Sequence, residues 1–361
     1  MAAGNLLVDN DAILESSKLT TKHRKALEHV KCREAEAQKQ VERIRKLYAT
    51  GKPMYPRSAM LDAARQIKLG SPKITIRGWD DDVQEYEYLM PHERKDSRQR
   101  WRPILYWEPF QNMVKECLLM GHTPRPLKIC YHSDSPHGTP EPTATIEELK
   151  ETFKMRASAW RETAMAHKLR SQLQAMSTLP TKIVGFGLGS PSHSMLYDDG
   201  TKDDAPVCGI FAQHAAVVMI AEILKQKNGK APVVLCQDPA YTENDKELLE
   251  SNGIMTIESP MGFLEVDQSS VVITVSPNVP VKQIIADDRD FWPAALICNK
   301  IYSAEHEAKM YKRRDAYFTD PNGDRVRNMV QEAYSHCLLP SSNEFGGLPI
   351  EVYTRKVNAL I

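Results

Sequence analysis

Lys182-Ile183-Val184-Gly185-Phe186-Gly187-Leu188-Gly189-Ser190 is a short apolar run that ends in a glycine-rich turn. Such a run is expected to form a buried strand. Glycines at its carboxyl end let backbone N–H groups come close to a ligand, or to another part of the chain. A helix is expected downstream, from about Phe211 to Lys227. The dinucleotide fingerprint needs Gly-x-Gly-x-x-Gly with a helix starting at once. Here Pro191, Ser192 and a polar loop intervene, which argues against a plain NAD site.

Outward from this turn, residues 182–300 alternate between strand and helix. The strand candidates are Lys182–Phe186, Val233–Cys236, Met255–Glu258, Val271–Val275 and Ala294–Cys298. They are nearly continuous apolar runs, as expected where helices cover both faces of a parallel sheet. The segment from Phe211 to Leu224 is apolar almost all round and should lie deep. The fold class that follows is α/β: a Rossmann-like parallel sheet with helices on both faces, plus a helical basic N-terminal region. The domain reading is a basic arm over 1–70, an α/β domain over 71–335 and a C-terminal tail over 336–361.

The 361 residues carry no net charge, but the charge is unevenly spread. Ser16 to Arg57 holds twelve Lys/Arg against four Glu, a local +8, whereas Pro191 to Lys300 holds sixteen Asp/Glu against eight Lys/Arg, a local −8. This asymmetry suggests an amino-terminal part that faces a polyanion. Leu19 to Tyr48 is expected to be one long helix, with Leu27, Val30, Val41, Ile44 and Leu47 on a stripe. Lys22, Arg24, Lys25, Arg43, Arg45 and Lys46 are candidate phosphate contacts on it, joined by Arg98 and Arg100 further on. The seven cysteines are scattered with no C-x-x-C pair, which argues against a cysteine zinc site and for a reducing compartment. No metal and no cofactor is expected. No apolar run reaches the length of a membrane span, so a cytoplasmic protein is expected.

Further helices are expected at Arg57–Lys68, Ile104–Met120 and Thr145–Met176, the last opened by a Thr145/Glu148 capping box. Strands are expected at Lys73–Arg77 and Leu127–Tyr131. In open parallel sheets, ligands sit beyond the carboxyl ends of the strands. That rule gathers Gly187, Gly189, Ser190, Asp238, Tyr241, Ser276 and Asn278 around one crevice. His132, His137 and His193 are read as surface histidines. Tyr86 and Tyr88 could stack on a terminal adenine or simply pack.

Residues 181–300 resemble the sensitivity-to-red-light-reduced domain family. The features that carry this are the Gly-Phe-Gly-Leu-Gly-Ser turn, Gln213, Asp238-Pro-Ala-Tyr241 with Asp245, and Ser276-Pro-Asn278-Val-Pro280. Plant and animal members of that family are linked to circadian timing and haem metabolism. The chain also resembles a fungal branch, the arginine-containing cyclodipeptide synthases, through Asp81-Asp82-Val83-Gln84-Glu85, which matches that branch's Asp-Asp-x-x-Glu motif. An extra acid stands at Asp80.

The resemblance implies a reaction: two aminoacyl-tRNAs, one of them arginyl-tRNA, give a diketopiperazine and two free tRNAs. Asp81, Asp82 or Glu85 would hold the guanidinium, or Glu85 would be the general base. On a helix, Asp81 and Glu85 would share one face. Ser190 is the positional candidate for a covalent acyl carrier, and a helix cap is its other reading. The rival readings are a non-catalytic regulatory protein and a methyltransferase-like enzyme in which Asp238 would hold a ribose.

Overall fold

A computed structural model describes residues 21–87, 101–120, 125–133, 144–195, 205–313 and 319–356. The chain divides into two compact units, one built from 1–50 and 113–124 and the other from 51–112 and 125–361.

In the first unit, helix α1 (Thr21–Ala49) carries a buried line of Ala37, Val41 and Ile44. The spacing is one helical stripe. Arg43, Arg45 and Lys46 are exposed between these positions. Lys22, Arg24 and Lys25 lie on the same helix, but their side chains fall outside the described residues. Arg98, Arg100, His137 and Tyr88 also fall outside them, as does the His132 side chain.

The second unit opens with helix α2 (Arg57–Lys68) and the antiparallel hairpin β1 (Lys73–Arg77) and β2 (Val83–Glu87). A second hairpin pairs β3 (Trp101–Trp107) with β4 (Leu127–Ser133); helix α3 (Phe110–Met120) follows β3, and its residues from Met113 on belong to the first unit. The helix expected from Ile104 therefore begins six residues late. Residues 101–107 instead pair along their whole length with β4, and Leu105 and Trp107 are buried at alternate positions.

The expected 145–176 helix is two helices, α4 (Ile146–Arg161) and α5 (Ala164–Ala175). Thr163 stops the first and caps the second by accepting from Ala166 N at 3.2 Å. Thr145 and Glu148 form the expected capping box.

Seven strands make the main sheet: β5 (Lys182–Phe186), β6 (Val233–Gln237), β7 (Met255–Thr256), β8 (Ser270–Thr274), β9 (Ala295–Asn299), β10 (Tyr334–Leu338) and β11 (Ile350–Arg355). Their order is β10-β11-β9-β8-β5-β6-β7. β5 to β9 are parallel, and β11 runs antiparallel to both of its neighbours. The chain thus builds an α/β sheet of Rossmann type, with β5 in the middle of the five parallel strands, flanked by β6 and β8. The expected domain end at 335 is corrected: residues 334–338 and 350–355, mostly assigned to a tail, are strands of this sheet. Ile350 and Val352 are buried core residues.

One face of the sheet packs on α4, α5 and the long helix α7 (Ala205–Asn228), after the single-turn helix α6 (Pro191–Ser194). Phe153, Phe211, Ala215 and Met219 meet Ile183, Val271 and Ile297 in this core. Helix α8 covers Glu243–Ser251. On the opposite face, Phe186 stacks on Phe263 of helix α9 (Met261–Glu265), with ring centroids 4.5 Å apart. Trp107 meets the same phenylalanine edge-on at 5.2 Å. Helices α10 (Val281–Ala286), α11 (Ala304–Arg313) and α12 (Gly323–Ala333) complete the unit.

The expected boundary at residue 70 is also displaced, because α2 belongs to the α/β unit. The Arg57 guanidinium donates to the Phe263 carbonyl at 2.8 Å, and Tyr55 N donates to Asp287 Oδ2 at 2.7 Å.

Candidate functional site

Gly187 and Gly189 both have left-handed backbones, φ +61° and +82°. A Cβ on Gly187 would stand 3.0 Å from Pro277 Cβ, and one on Gly189 would stand 2.8 Å from Ile210 Cγ1. The turn is therefore wedged between the loop after β8 and the start of α7. Its amides are engaged within the protein: Gly187 N donates to the Gln237 carbonyl at 3.1 Å, and Gly189 N donates to Asp238 Oδ2 at 2.8 Å. Asp238 Oδ1 accepts from Ala240 N at 2.9 Å. Asp238 thus latches two loops through backbone amides.

Ser190 is buried, 3 % exposed. Its hydroxyl donates to Asp245 Oδ2 at 2.6 Å and accepts from His193 N at 3.1 Å as the N-cap of α6. The His193 ring Nδ1 lies 2.9 Å away. The fully buried Asp245 also accepts from Ser192 N (2.8 Å), Ser192 Oγ (3.0 Å) and Thr242 N (2.9 Å). A serine before a proline at the first helical position is a helix-start signal, and here that use prevails. Its oxygen lies inside a closed polar knot, so the structure shows Ser190 in the second of its two expected uses, the helix cap.

Tyr241 donates to His214 Nε2 at 2.9 Å, and His214 Nδ1 donates to the Ile210 carbonyl at 2.8 Å. This fixes the neutral tautomer. Burial lowers the His214 pKa and raises that of Tyr241 well above its usual value. The pair is uncharged and ties the loop after β6 to α7. Gln213 Oε1, one residue before His214, is buried without a hydrogen-bond partner among the described residues. Asn278 is exposed on the loop after β8.

The acidic run sits on a hairpin, not a helix, so Asp81 and Glu85 do not share a helical face. Asp81 occupies the turn with φ +66°, and Gly78 N donates to the Asp82 carbonyl at 2.8 Å across it. Each acid has a cationic partner and is more than half exposed: Asp81 with Lys52, Asp82 with Arg125, Glu85 with Lys73. The Lys52 hydrogen bond holds the Asp81 carboxyl below its ordinary pKa. Asp80 reaches Arg125 at 3.5 Å, so one guanidinium lies between two carboxylates. Asp82 to Tyr86 border an open cavity of about 420 Å³ with Arg125. Asp81 borders another of about 440 Å³ with Arg77 and Asp62. Residues 187–190 line neither of these cavities. Tyr86 is half-buried, its hydroxyl 2.6 Å from Gln84 Oε1.

A cavity of about 290 Å³ does open where the fold rule places a ligand, beyond the carboxyl ends of β8 and β9. Ser276 stands at its rim in a left-handed conformation, φ 50°, a position that β-carbon sterics disfavour. Its amide donates to Asn299 Oδ1 at 2.6 Å. On the wall, the buried Lys282 ammonium donates to Asn322 Oδ1 at 2.9 Å and lies 3.6 Å from Asp320 Oδ2. Burial pushes the Asp320 carboxyl up to about 6 against the pull of Lys282. Asp320, Lys282, Asn322 and Tyr302 were missed at the sequence level. The one signal for the first pair is a lysine inside the apolar Pro280–Ala286 segment, which looks like a solvated position. Among the described residues, no three His, Cys, Asp or Glu side chains gather as a metal site.

Residues 166–350 match the family model of the SRR1 domain. The chain belongs to the SRR1 domain family. No curated protein sequence matches it. Solved structures similar to this SRR1 protein include precorrin-6y C5,15-methyltransferase from Geobacter metallireducens GS-15, at 10 % identity over 52 % of this chain and 88 % of that one, TM-score 0.28. A methyltransferase from Geobacter sulfurreducens is 11 % identical over 60 % of this chain and 93 % of that one, TM-score 0.29. Geranyl diphosphate C-methyltransferase from Streptomyces coelicolor A3(2) is 9 % identical over 62 % and 88 %, TM-score 0.29. Likeness at this level carries no argument about chemistry in the SRR1 chain. No helix among the described residues is long and apolar enough to cross a membrane.

Proposed function

We propose that this SRR1 protein is an aminoacyltransferase that joins the arginyl group of arginyl-tRNA to a second aminoacyl group as a cyclic dipeptide. The observation that supports it is the guanidinium of Arg125 lying between Asp80 and Asp82. The acidic turn is chemically suited to a planar cation, and the neighbouring carboxylates of Asp81 and Glu85 are reachable from solvent. The exposed Arg43, Arg45 and Lys46 suit a phosphate backbone. With charged tRNA as partner, the cytoplasm is the compartment proposed.

The chemistry balances without ATP. The α-amine of one aminoacyl ester attacks the carbonyl of the other, an amide forms, and the first tRNA leaves as its ester bond breaks. The free amine of the dipeptidyl ester then closes the ring and releases the second tRNA. With Ser190 enclosed, the first step is direct transfer between esters. Glu85 or Asp82 would take the amine proton.

The test is expression in bacteria with mass analysis of the medium. Arginine-containing diketopiperazines are expected, and Glu85→Gln and Asp82→Asn should lower their yield at least tenfold with soluble protein unchanged. A well-folded protein that yields none in a host with ample charged tRNA sinks the reading. The second reading is a non-catalytic, partner-binding role. It is favoured by the internally bonded amides of Gly187 and Gly189, which behave as a structural turn.

A further inference from the structure

The cavity beyond β8 and β9 has walls made largely of carbon, from Pro277, Tyr302, Met310, Pro321, Leu348 and Pro349. Tyr302 is held in place from one side by His306, with ring centroids 4.3 Å apart and planes 11° from parallel. At about 290 Å³ the space suits one ring system with small substituents.

The ionic groups on the walls already have counter-charges. Lys282 faces Asp320 at 3.6 Å, Lys300 faces Glu351 at 3.6 Å, and Glu307 is paired with Arg327. A charged ligand would therefore meet no unbalanced charge, and its desolvation would go uncompensated. Neutral hydrogen-bonding groups line the same space: the Ser276 hydroxyl, the Asn299 amide and the Asn322 amide. Asn299 Oδ1 accepts from Ser276, and Asn322 Oδ1 accepts from Lys282. Both amides therefore keep an NH₂ group with no protein acceptor among the described residues. These NH₂ groups can donate to a ring carbonyl, and the Ser276 hydroxyl oxygen can accept from a ring N–H, so together they match a –CO–NH– edge.

We propose that this cavity binds a flat, neutral heterocycle carrying a ring amide edge, the chemistry that nucleobases and diketopiperazines share. Its ring lies against Tyr302, and its amide edge meets Asn299 and Ser276. The proposal stands independently of aminoacyl transfer, because the nucleobase arm needs no such activity.

The test uses the purified full chain in calorimetric and saturation-transfer titrations. The probes are uracil and cyclo(glycyl-prolyl), with benzoate and inorganic phosphate as charged comparators. Uracil binding alone identifies a nucleobase site, and cyclic-dipeptide binding alone identifies a diketopiperazine site. Either is a supporting result, as is binding of both. Asn299→Ala and Tyr302→Ala should each weaken the bound probe by about tenfold. The exposed Leu348, replaced in Leu348→Trp, should fill the cavity and abolish binding without disturbing the fold. Failure of both neutral probes to bind overturns the proposal. So does benzoate or phosphate binding as tightly as they do, or binding that survives Leu348→Trp.

Discussion

Replacing Ser190 with alanine should destabilise the protein while leaving its chemistry intact. The hydroxyl makes two kinds of interaction that alanine cannot: the cap to His193 N and the charge-assisted bond to Asp245. Loss of a serine cap costs about 1 kcal/mol, and a hydrogen bond to a charged group contributes about 1.5–3 kcal/mol. Asp245 keeps three other donors, from Ser192 and Thr242, so the lower end applies and the sum is about 2–3 kcal/mol. At roughly 2–4 °C per kcal/mol for a chain of this order of size, the melting temperature should fall by about 4–12 °C. Urea unfolding followed by tryptophan fluorescence measures the first quantity. Diketopiperazine yield per mole of folded protein, taken well below the transition, measures the second. The reasoning is refuted if Ser190→Ala melts like the parent, or if the folded variant makes no product while the parent does. The latter result would return Ser190 to the chemistry and require the Asp245 knot to open during turnover.

Gly189→Ala should cost about 1–2 kcal/mol from its left-handed backbone alone. Ile210→Ala, which removes the 2.8 Å clash, should recover only part of the total loss in a double-mutant cycle. The buried His214 stays neutral in the native state with its pKa below 6.5, whereas the unfolded imidazole takes a proton near that value. Its contribution is therefore present above pH 6.5 and is lost as pH falls through the native pKa. Melts at pH 7.5 and 5.5 should show a difference that narrows in His214→Gln. Lys282→Met leaves Asp320 buried without its counter-charge and should cost about 3–5 kcal/mol, and adding Asp320→Asn should restore most of it in chemical denaturation. Under the tRNA reading, binding of arginyl-tRNA should weaken steeply with salt. A charge-neutralising change at Arg43, Arg45 and Lys46 should reduce the slope by about 0.7–0.9 for each phosphate contact removed.

The central strands were legible because buried parallel strands are continuous apolar runs, and Lys182–Phe186 is the strand expected, residue for residue. Their order was not legible, since strands of this kind carry no register signal of their own. The edge was misjudged for the opposite reason. Tyr334-Ser-His-Cys-Leu338 is half polar because it is the outermost strand and has exposed residues on both of its faces, although the alternation of Ile350 and Val352 was a usable sign of the strand beside it. At the site, the glycine turn was recognisable but its purpose was not. Left-handed glycines serve a ligand or a neighbouring loop equally well, and only Pro277 and Ile210 in space tell which. The four-residue spacing of Asp81 and Glu85 is compatible with one face of a helix, but it does not make one. The pairing of Lys73–Arg77 with Val83–Glu87 is a tertiary preference that spacing alone does not contain.

The last strand among the described residues, Ile350–Arg355, lies inside the sheet between β9 and β10. A chain leaving the ribosome can assemble β5 to β9 early, but it must hold the flank of β9 open until residue 355 has emerged. Over that interval the Ala295–Asn299 edge is an unpaired row of amides and carbonyls, the kind of surface that recruits foreign strands. Yield in a heterologous host should therefore depend on how quickly the last stretch is translated and on chaperones that shield that edge.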